Sequence, residues 1–412
     1  MTAPTSWLSR SVADCIEPVR GIGSAKLQAR NYKPTGRYPI VDQGQSPISG
    51  WTDDATAVID KPLPLIVFGD HTRAFKYVDF PFVRGADGTQ LLRPKTDIEP
   101  LFFFYACRAI DLEGRGYNRH FSVLKECQIS YPQDSNEQLA IGEVLRRTER
   151  ALSQQGLLLE TANAMKQAAM RELFTRGLRG EAQKETEIGL VPESWAVSRI
   201  GDVATRTQYG LSLRGQSVGR VPILRMNCQD DGRVMFRNLQ YVNLDEATLG
   251  AFLLNDGDLL FNRTNSIQLV GRTAIFEGTT QSVFASYLVR LTVDAKQCLP
   301  RYLNYFMNWP ATQVEIKKLA SRAVGQANIN AAKLRTVAFP LVPTLDEQAD
   351  IVAILDAIDR KITLHQRKRA VLEELFKSLL HKLMTGEIAV ADLDLSALNT
   401  HSTNTAQTGE GT

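Results

Sequence analysis

Two stretches in the second half of the 412-residue chain gather side chains of the types that can pair with base edges and phosphates. One runs Asn262, Arg263, Thr264, Asn265, Ser266, Ile267, Gln268; the other runs from Ser321 to Asn330 and carries Arg322, Gln326, Asn328 and Asn330. In the major groove an amide can pair with adenine and a guanidinium with guanine, while hydroxyls and cations hold phosphates. The competing reading is a pair of surface turns whose Asn and Ser side chains cap their own backbone. In the first half the same residue types recur at Gln43, Gln45 and Ser46, at His71, Thr72, Arg73 and Lys76, and at Arg115, Tyr117, Asn118, Arg119 and His120. The histidines invite a catalytic reading. No Cys or Ser stands at a spacing that supports one, and a lone His in a polar loop is expected to be a hydrogen-bonding surface residue.

Enzymatic alternatives lack their motifs. Gly21-Ile22-Gly23-Ser24-Ala25-Lys26 has neither the spacing nor the ending of a phosphate-binding loop. The Asn-Pro-Pro-aromatic motif of adenine methyltransferases is missing, as is a methyl-donor glycine motif. Asp294 with Glu315 and Lys317 imitates the acid, acid, lysine set of a nuclease, but Glu315 and Lys317 stand two apart on a predicted helix and do not face each other. Phe102-Phe103-Phe104-Tyr105 reads as core rather than as a platform for stacked bases.

Whatever positions these loops must include two long helices. Ile351, Leu355, Ile358, Ile362, His365, Arg369, Leu372, Phe376, Leu379 and Leu383 alternate steps of four and three, the seam of a coiled coil. A shift of 210 residues lays Ile141, Leu145, Thr148, Leu152, Gln155, Leu159, Ala162, Lys166, Ala169 and Leu173 on the same grid, with Glu137-Gln138 falling on Glu347-Gln348. Polar residues interrupt both stripes near their middles, which fixes register at some cost in stability. The spacing predicts helices over Glu137 to Thr175 and Glu347 to Thr385, each spanning roughly 60 Å at 1.5 Å per residue and packed on the other. The alternative is two unrelated surface helices.

A globular segment precedes each helix, and the two open alike, with Ser6-Trp7 in one and Ser194-Trp195, after a turn-forming Gly189-Leu190-Val191-Pro192, in the other. Gly69-Asp70 and Gly257-Asp258 fall at the same 188-residue shift as the tryptophans. Short apolar runs such as Leu65 to Phe68 and Tyr287 to Val293 predict strands, and Glu99 to Ile110 and Pro300 to Met307 predict helices. The fold class is mixed α/β, of the α+β kind, each globule holding a curved, mostly antiparallel sheet. The whole is a pseudo-twofold tandem repeat whose long helices form an antiparallel coiled coil. Expected boundaries are a globule at 1–136, a helical region at 137–184, a second globule at 185–346, a second helical region at 347–390 and a disordered tail at 391–412.

Composition limits the partners. No apolar run is long enough for a membrane span, and the N-terminus lacks the apolar core of a signal peptide, so a cytoplasmic protein is expected. Five cysteines without a Cys-x-x-Cys pair argue for reduced thiols and against zinc. Residues 195–346 carry a net charge of +6, and thirteen of their seventeen cations are arginine, which favours phosphates and guanine edges.

The order of motifs resembles the specificity subunits of type I restriction-modification systems. The residues that carry the resemblance are Ile188 to Trp195, Gly257 to Arg272 (GDLLFNRTNSIQLVGR), Ala285 to Leu291, Pro300 to Asn308, Gly325 to Gln348 and the closing KLMTGE. In the first half they are YPIVDQGQSPISG, FGDHTRAFKYVDFPFVRGADGTQLLRP and GYNRH; the PQDSNEQ exit there lacks the second proline of PLVPTLDEQ.

The resemblance implies two target recognition domains that bind the two halves of a bipartite site on double-stranded DNA, with the helices as a ruler between them. It implies no catalysis and no cofactor in this chain. Two modification subunits using S-adenosylmethionine, and restriction subunits using ATP and magnesium, would supply the chemistry. Leu157, Leu158, Arg367, Lys368 and Leu375, beside the seam, are the candidate partner contacts; their alternative is a solvated helix face. Two other functions remain at this stage, a coiled-coil interaction protein without DNA specificity and a stand-alone DNA-modifying enzyme.

Overall fold

The computed structural model describes residues 7–19, 26–112, 120–278, 280–323 and 325–394, so Arg115, Asn118, Arg119 and most of the expected tail lie outside the described residues. The chain divides into two units, one of residues 1–157 and 366–412, the other of residues 158–365. In the first unit, strand Trp7–Ser11 runs antiparallel to Gln128–Pro132, with Trp7 opposite Pro132. A four-stranded antiparallel sheet orders Ile16–Glu17, Thr89–Pro94, Leu65–Gly69 and Phe75–Val78. A second sheet orders Gly50–Thr52, Tyr38–Val41, Phe82–Arg84 and Val58–Ile59, with one parallel pairing, Tyr38–Val41 on Phe82–Arg84. Leu65–Gly69 is buried at every residue, as a continuous apolar run in a central strand should be. Helix Pro100–Ala109, begun by a proline that needs no hydrogen-bonded N–H there, buries Leu101 through Cys107 in the same core.

The second unit follows the same plan. Ala196–Arg199 pairs antiparallel with Ala338–Leu341, and a proline again begins helix Pro300–Asn308. The main sheet orders Ala204–Tyr209, Leu288–Val293, Leu259–Asn262, Thr273–Ile275, Arg233–Val234 and Gln229–Asp230. The smaller sheet orders Gln240–Val242, Val221–Leu224 and Val283–Phe284, and repeats the parallel pairing of the first unit. Each globule therefore holds more than one sheet, not the single curved sheet expected.

Two further expectations change. Gly69 ends strand Leu65–Gly69, whereas Gly257 and Asp258 precede strand Leu259–Asn262, so the two Gly-Asp pairs are not equivalent despite their shared shift. Equivalent positions drift apart along the chain: Pro100 and Pro300 are 200 residues apart, Ser135 and Leu345 are 210, because loops of different length have accumulated between the matched elements. Gly189–Pro192 is the second strand of a hairpin with Gln183–Thr186, and the turn falls at Glu187-Ile188.

The long helices span Ser135–Thr175 and Leu345–Met384, 41 and 40 residues. Every residue of the predicted seam is buried or half-buried except Arg369. In the first unit Ile141, Val144 and Leu145 of the first long helix share a core with Phe376, Leu379 and Leu383 of the second. In the second unit Ala162 packs with Ile358 and Ile362, and Met170, Leu173 and Phe174 with Ile351, Val352 and Leu355. The start of each helix thus meets the end of the other, the antiparallel coiled coil that the spacing predicts.

One buried glutamine sets each helix on its globule. Gln138 donates its Nε2 to Asp97 O at 3.2 Å and Pro132 O at 2.8 Å, and its Oε1 accepts from Glu99 N at 2.7 Å. Gln348 repeats all three contacts, to Gln297 O at 3.1 Å and Val342 O at 3.2 Å, and from Leu299 N at 2.7 Å. Both side chains are fully buried.

Candidate nucleic-acid interface

The two polar stretches of the second globule, apart in sequence, form one surface. Thr264–Asn265 pairs antiparallel with Gln326–Asn328, which pairs in turn with Ser321–Ala323. Asn328 Nδ2 donates to Thr264 Oγ1 across the ribbon at 2.6 Å. Ala327 is buried, and side chains alternate along a strand, so Gln326 and Asn328 share the opposite face with Thr264. Ser266 and Gln268 continue from the ribbon into a turn; Gln268 is exposed and Ser266 N is held by Asn265 Oδ1. Arg322 lies in the outer strand.

Other residues of the two stretches are buried or make contacts within the globule. Asn262 is 1% exposed, at the end of a central strand. Arg263 lies over the Tyr209 ring at 4.7 Å and donates Nη1 to Ser286 O at 3.2 Å, while its main chain carbonyl accepts from Ile329 N. Asn265 directs Nδ2 to Met226 Sδ at 3.0 Å. Asn330 caps helix Ala331–Arg335 by accepting from Lys333 N at 2.8 Å. The capping expected of surface turns therefore does occur, at Asn330, beside residues that face outward.

In the first globule Gln43, His71, Thr72 and Arg73 meet at the turn after Leu65–Gly69. Gln43 Oε1 accepts from His71 N at 3.3 Å, and its main chain carbonyl accepts from Thr72 Oγ1. Arg73 takes a left-handed φ of 60° and donates Nη1 to Leu112 O at 2.5 Å. Gln45, Thr72 and Arg73 line a cleft of about 550 Å³ together with Arg108, Asp111 and Glu149. Lys76 lies inward instead. Its side chain is 9% exposed, with Nζ 3.8 Å from Asp42 Oδ1, and burial lowers its pKa against the pull of that carboxylate. Burial alone would raise Asp42, but hydrogen bonds from Ser49 and Gly44, with the Lys76 charge, bring it below the ordinary aspartate value. His120 is also interior rather than on the surface; its Nδ1 is 3.0 Å from Asp70 O, and Asp70 Oδ1 accepts from Phe121 N.

Asp294 accepts from Lys296 N and Gln297, and Glu315 pairs with Lys318 rather than Lys317, so both carboxylates of the nuclease-like set are engaged locally. Leu157, Leu158 and Leu375 are exposed on the long helices, as are Arg367 and Lys368. Met165 and Val371 are likewise exposed on the long helices, at 56% and 68%. Neither lies on the seam, so the periodicity does not mark them. Tyr209 and Met226, which hold Arg263 and Asn265, were also missed; they sit far from both polar stretches in sequence and no local signal marks them.

Residues 192–374 match the family of the type I restriction modification DNA specificity domain. The chain is 31% identical over 206 residues to a Methanocaldococcus jannaschii protein assigned as the MjaX type I restriction enzyme specificity subunit, spanning 49% of this chain and about half, 48%, of that protein. It is 24% identical over 434 residues to the StySPI specificity subunit of Salmonella potsdam, with 93% of this chain and 90% of that protein covered. The second half of this chain is thus similar to type I restriction-modification specificity subunits, and a weaker similarity runs on over the rest of the chain. The fold of a specificity subunit extends over nearly all of it: the crystal structure of the type I S subunit from M. genitalium superposes with a TM-score of 0.64 at 15% identity, over 93% of this chain and 99% of that one. The matched specificity domain contains the whole ribbon of the second globule and the second long helix as far as Glu374.

Proposed function

We propose that this chain is a specificity subunit that reads a bipartite sequence on double-stranded DNA and directs adenine methylation and restriction carried out by partner subunits. The observation that carries the reading is the ribbon, which joins two polar stretches into one outward face bearing Thr264, Gln326 and Asn328. On this reading the second half-site is read by Thr264, Ser266, Gln268, Arg322, Gln326 and Asn328, while Asn262, Arg263, Asn265 and Asn330 hold them in place. The first half-site falls to Gln43, Gln45, His71, Thr72 and Arg73 with Arg115, Asn118 and Arg119, and Lys76 supports them through Asp42. The recognition domains are residues 1–136 and 185–346, with helical regions at 137–184 and 347–390.

Two modification subunits, which would bring S-adenosylmethionine, dock beside the seam at Leu157, Leu158, Arg367, Lys368 and Leu375; restriction subunits bring ATP and magnesium. No described helix is long and apolar enough to cross a membrane, and the complex works on DNA in the cytoplasm. Single-molecule methylation sequencing of host DNA with and without the gene tests the reading. A split, asymmetric adenine motif that vanishes on deletion is expected. Gln326→Ala and Asn328→Ala should relax one half-site only, each good bidentate contact being worth about 1–3 kcal/mol of discrimination. Loss on all sequences alike would make them phosphate contacts.

A further inference from the structure

Tyr105 and Tyr305 occupy the same place in the two units. Tyr105, on helix Pro100–Ala109, donates its hydroxyl to Glu149 of the first long helix at 2.8 Å. The Tyr305 hydroxyl, on helix Pro300–Asn308, lies 2.6 Å from both Asp356 Oδ1 and Asp359 Oδ2 of the second. The 210-residue repeat puts Glu149 on Asp359, so each globule is fastened to the long helix that follows it by a phenol and a carboxylate. Burial first, and the carboxylates second, push both phenols up, so both remain donors.

What faces the tyrosine from the other long helix differs between the units. In the first it is Phe376, edge-on to Tyr105 with ring centroids 6.2 Å apart. The repeat puts Lys166 at that place in the second unit. Lys166 Nζ lies 5.8 Å from the Tyr305 ring centroid and 2.8 Å from Asp359 Oδ1, and donates to both Asp231 oxygens at 3.1 Å. Asp231 stands in the left-handed region, φ 40°, in the tight turn between Gln229–Asp230 and Arg233–Val234. Asn304 Nδ2 holds the same turn through Gly232 O at 2.9 Å. One side chain, 8% exposed, therefore ties the first long helix to the second and to the edge of the recognition sheet. Packing alone does not call for a lysine here, as Phe376 shows: in the first unit the cation on the matching carboxylate is Arg108, 2.6 Å from Glu149 and on the tyrosine's own helix, so it does not tie the two long helices together. A buried cation costs desolvation that only fixed partners offset, so it is tied to one geometry more strictly than an aromatic ring.

We propose that Lys166 is a positioning residue that fixes the angle of the second globule on the helix pair, and thereby the spacing accepted between the two half-sites. The proposal rests on the sequence-reading role proposed above. One base pair is a step of about 3.4 Å along the duplex and about a tenth of a turn. A globule able to tilt on its helices would accept neighbouring spacings while reading the same bases.

The test is methylation sequencing of hosts carrying the complete system with Lys166→Met, Asp231→Asn or Lys166→Arg in this chain. With Lys166→Met and Asp231→Asn, both half-sites stay unchanged and the preference for one spacer over spacers one base pair longer or shorter falls by about tenfold, equivalent to about 1.4 kcal/mol. Lys166→Arg retains the cation and most of the preference. Should Lys166→Met fail to accumulate, Asp231→Asn carries the test, because the Asp231 side chain is 68% exposed and Lys166 keeps Asp359. An unchanged spacer with Asp231→Asn, or altered half-sites with either variant, overturns the proposal. A wild-type chain that yields no split motif overturns the sequence-reading role itself.

Discussion

Replacing Gln138 or Gln348 by alanine isolates the contacts that join each long helix to its globule. Each fully buried amide makes three hydrogen bonds to main chain atoms, so each substitution strands one N–H and two carbonyls. At about 1 kcal/mol of net stability per hydrogen bond the loss is about 3 kcal/mol, and it grows if water cannot enter to serve the stranded groups. For units of about 200 residues that lowers the melting temperature by about 6–12 °C. Gln→Glu keeps one acceptor but faces two carbonyls with a carboxylate in a dry site, and should be worse than alanine at neutral pH. Calorimetry of the four single variants and the Gln138→Ala/Gln348→Ala double variant would measure this. The glutamines are far apart in sequence and lie in different units, so their effects should add. A loss below about 1 kcal/mol from both alanine variants, against the net worth of even one hydrogen bond, would refute the reasoning.

Arg290 is wholly buried; it donates to Leu253 O at 2.6 Å and Ala251 O at 3.0 Å, bonds Gln208, and lies 3.5 Å from Asp258. Arg290→Met leaves Asp258 buried without its cation and should cost about 3–5 kcal/mol in urea unfolding, and lysine should recover only part of it. Burial pushes the Cys15 thiol up to about 11 and Cys298 up to about 12, from 9.0 when exposed. Unfolding lets these thiols ionise first, so stability is intact below pH 9 and falls as pH rises through these values. Unfolding midpoints measured from pH 8 to 11 should show the decline, less steeply in Cys298→Ala.

The long helices were legible because their burial obeys one periodicity that depends on neither partner nor context. Lys166 sat on the predicted seam, yet its partners Asp231 and Tyr305 lie on separate elements that no spacing connects. Asn328 and Thr264 were both singled out, but only pairing across 64 residues shows them on one face. Polar residues in polar stretches usually face outward, but Lys76 and His120 turn inward because Asp42 and Asp70 supply interior partners. The Gly-Asp match failed for a different reason, since a fixed shift cannot survive unequal loops.

Each globule begins and ends on two adjacent antiparallel strands, Trp7–Ser11 with Gln128–Pro132 and Ala196–Arg199 with Ala338–Leu341. Its two ends therefore lie about 5 Å apart, the spacing of neighbouring strands, however long the loops within. A foreign globule that closes on the same strand pair and offers the same main chain groups to the glutamine that follows could replace either globule while its helix keeps its place. Exchange at these two strand pairs would then replace a whole globule in one step, while point changes within a loop adjust an existing one.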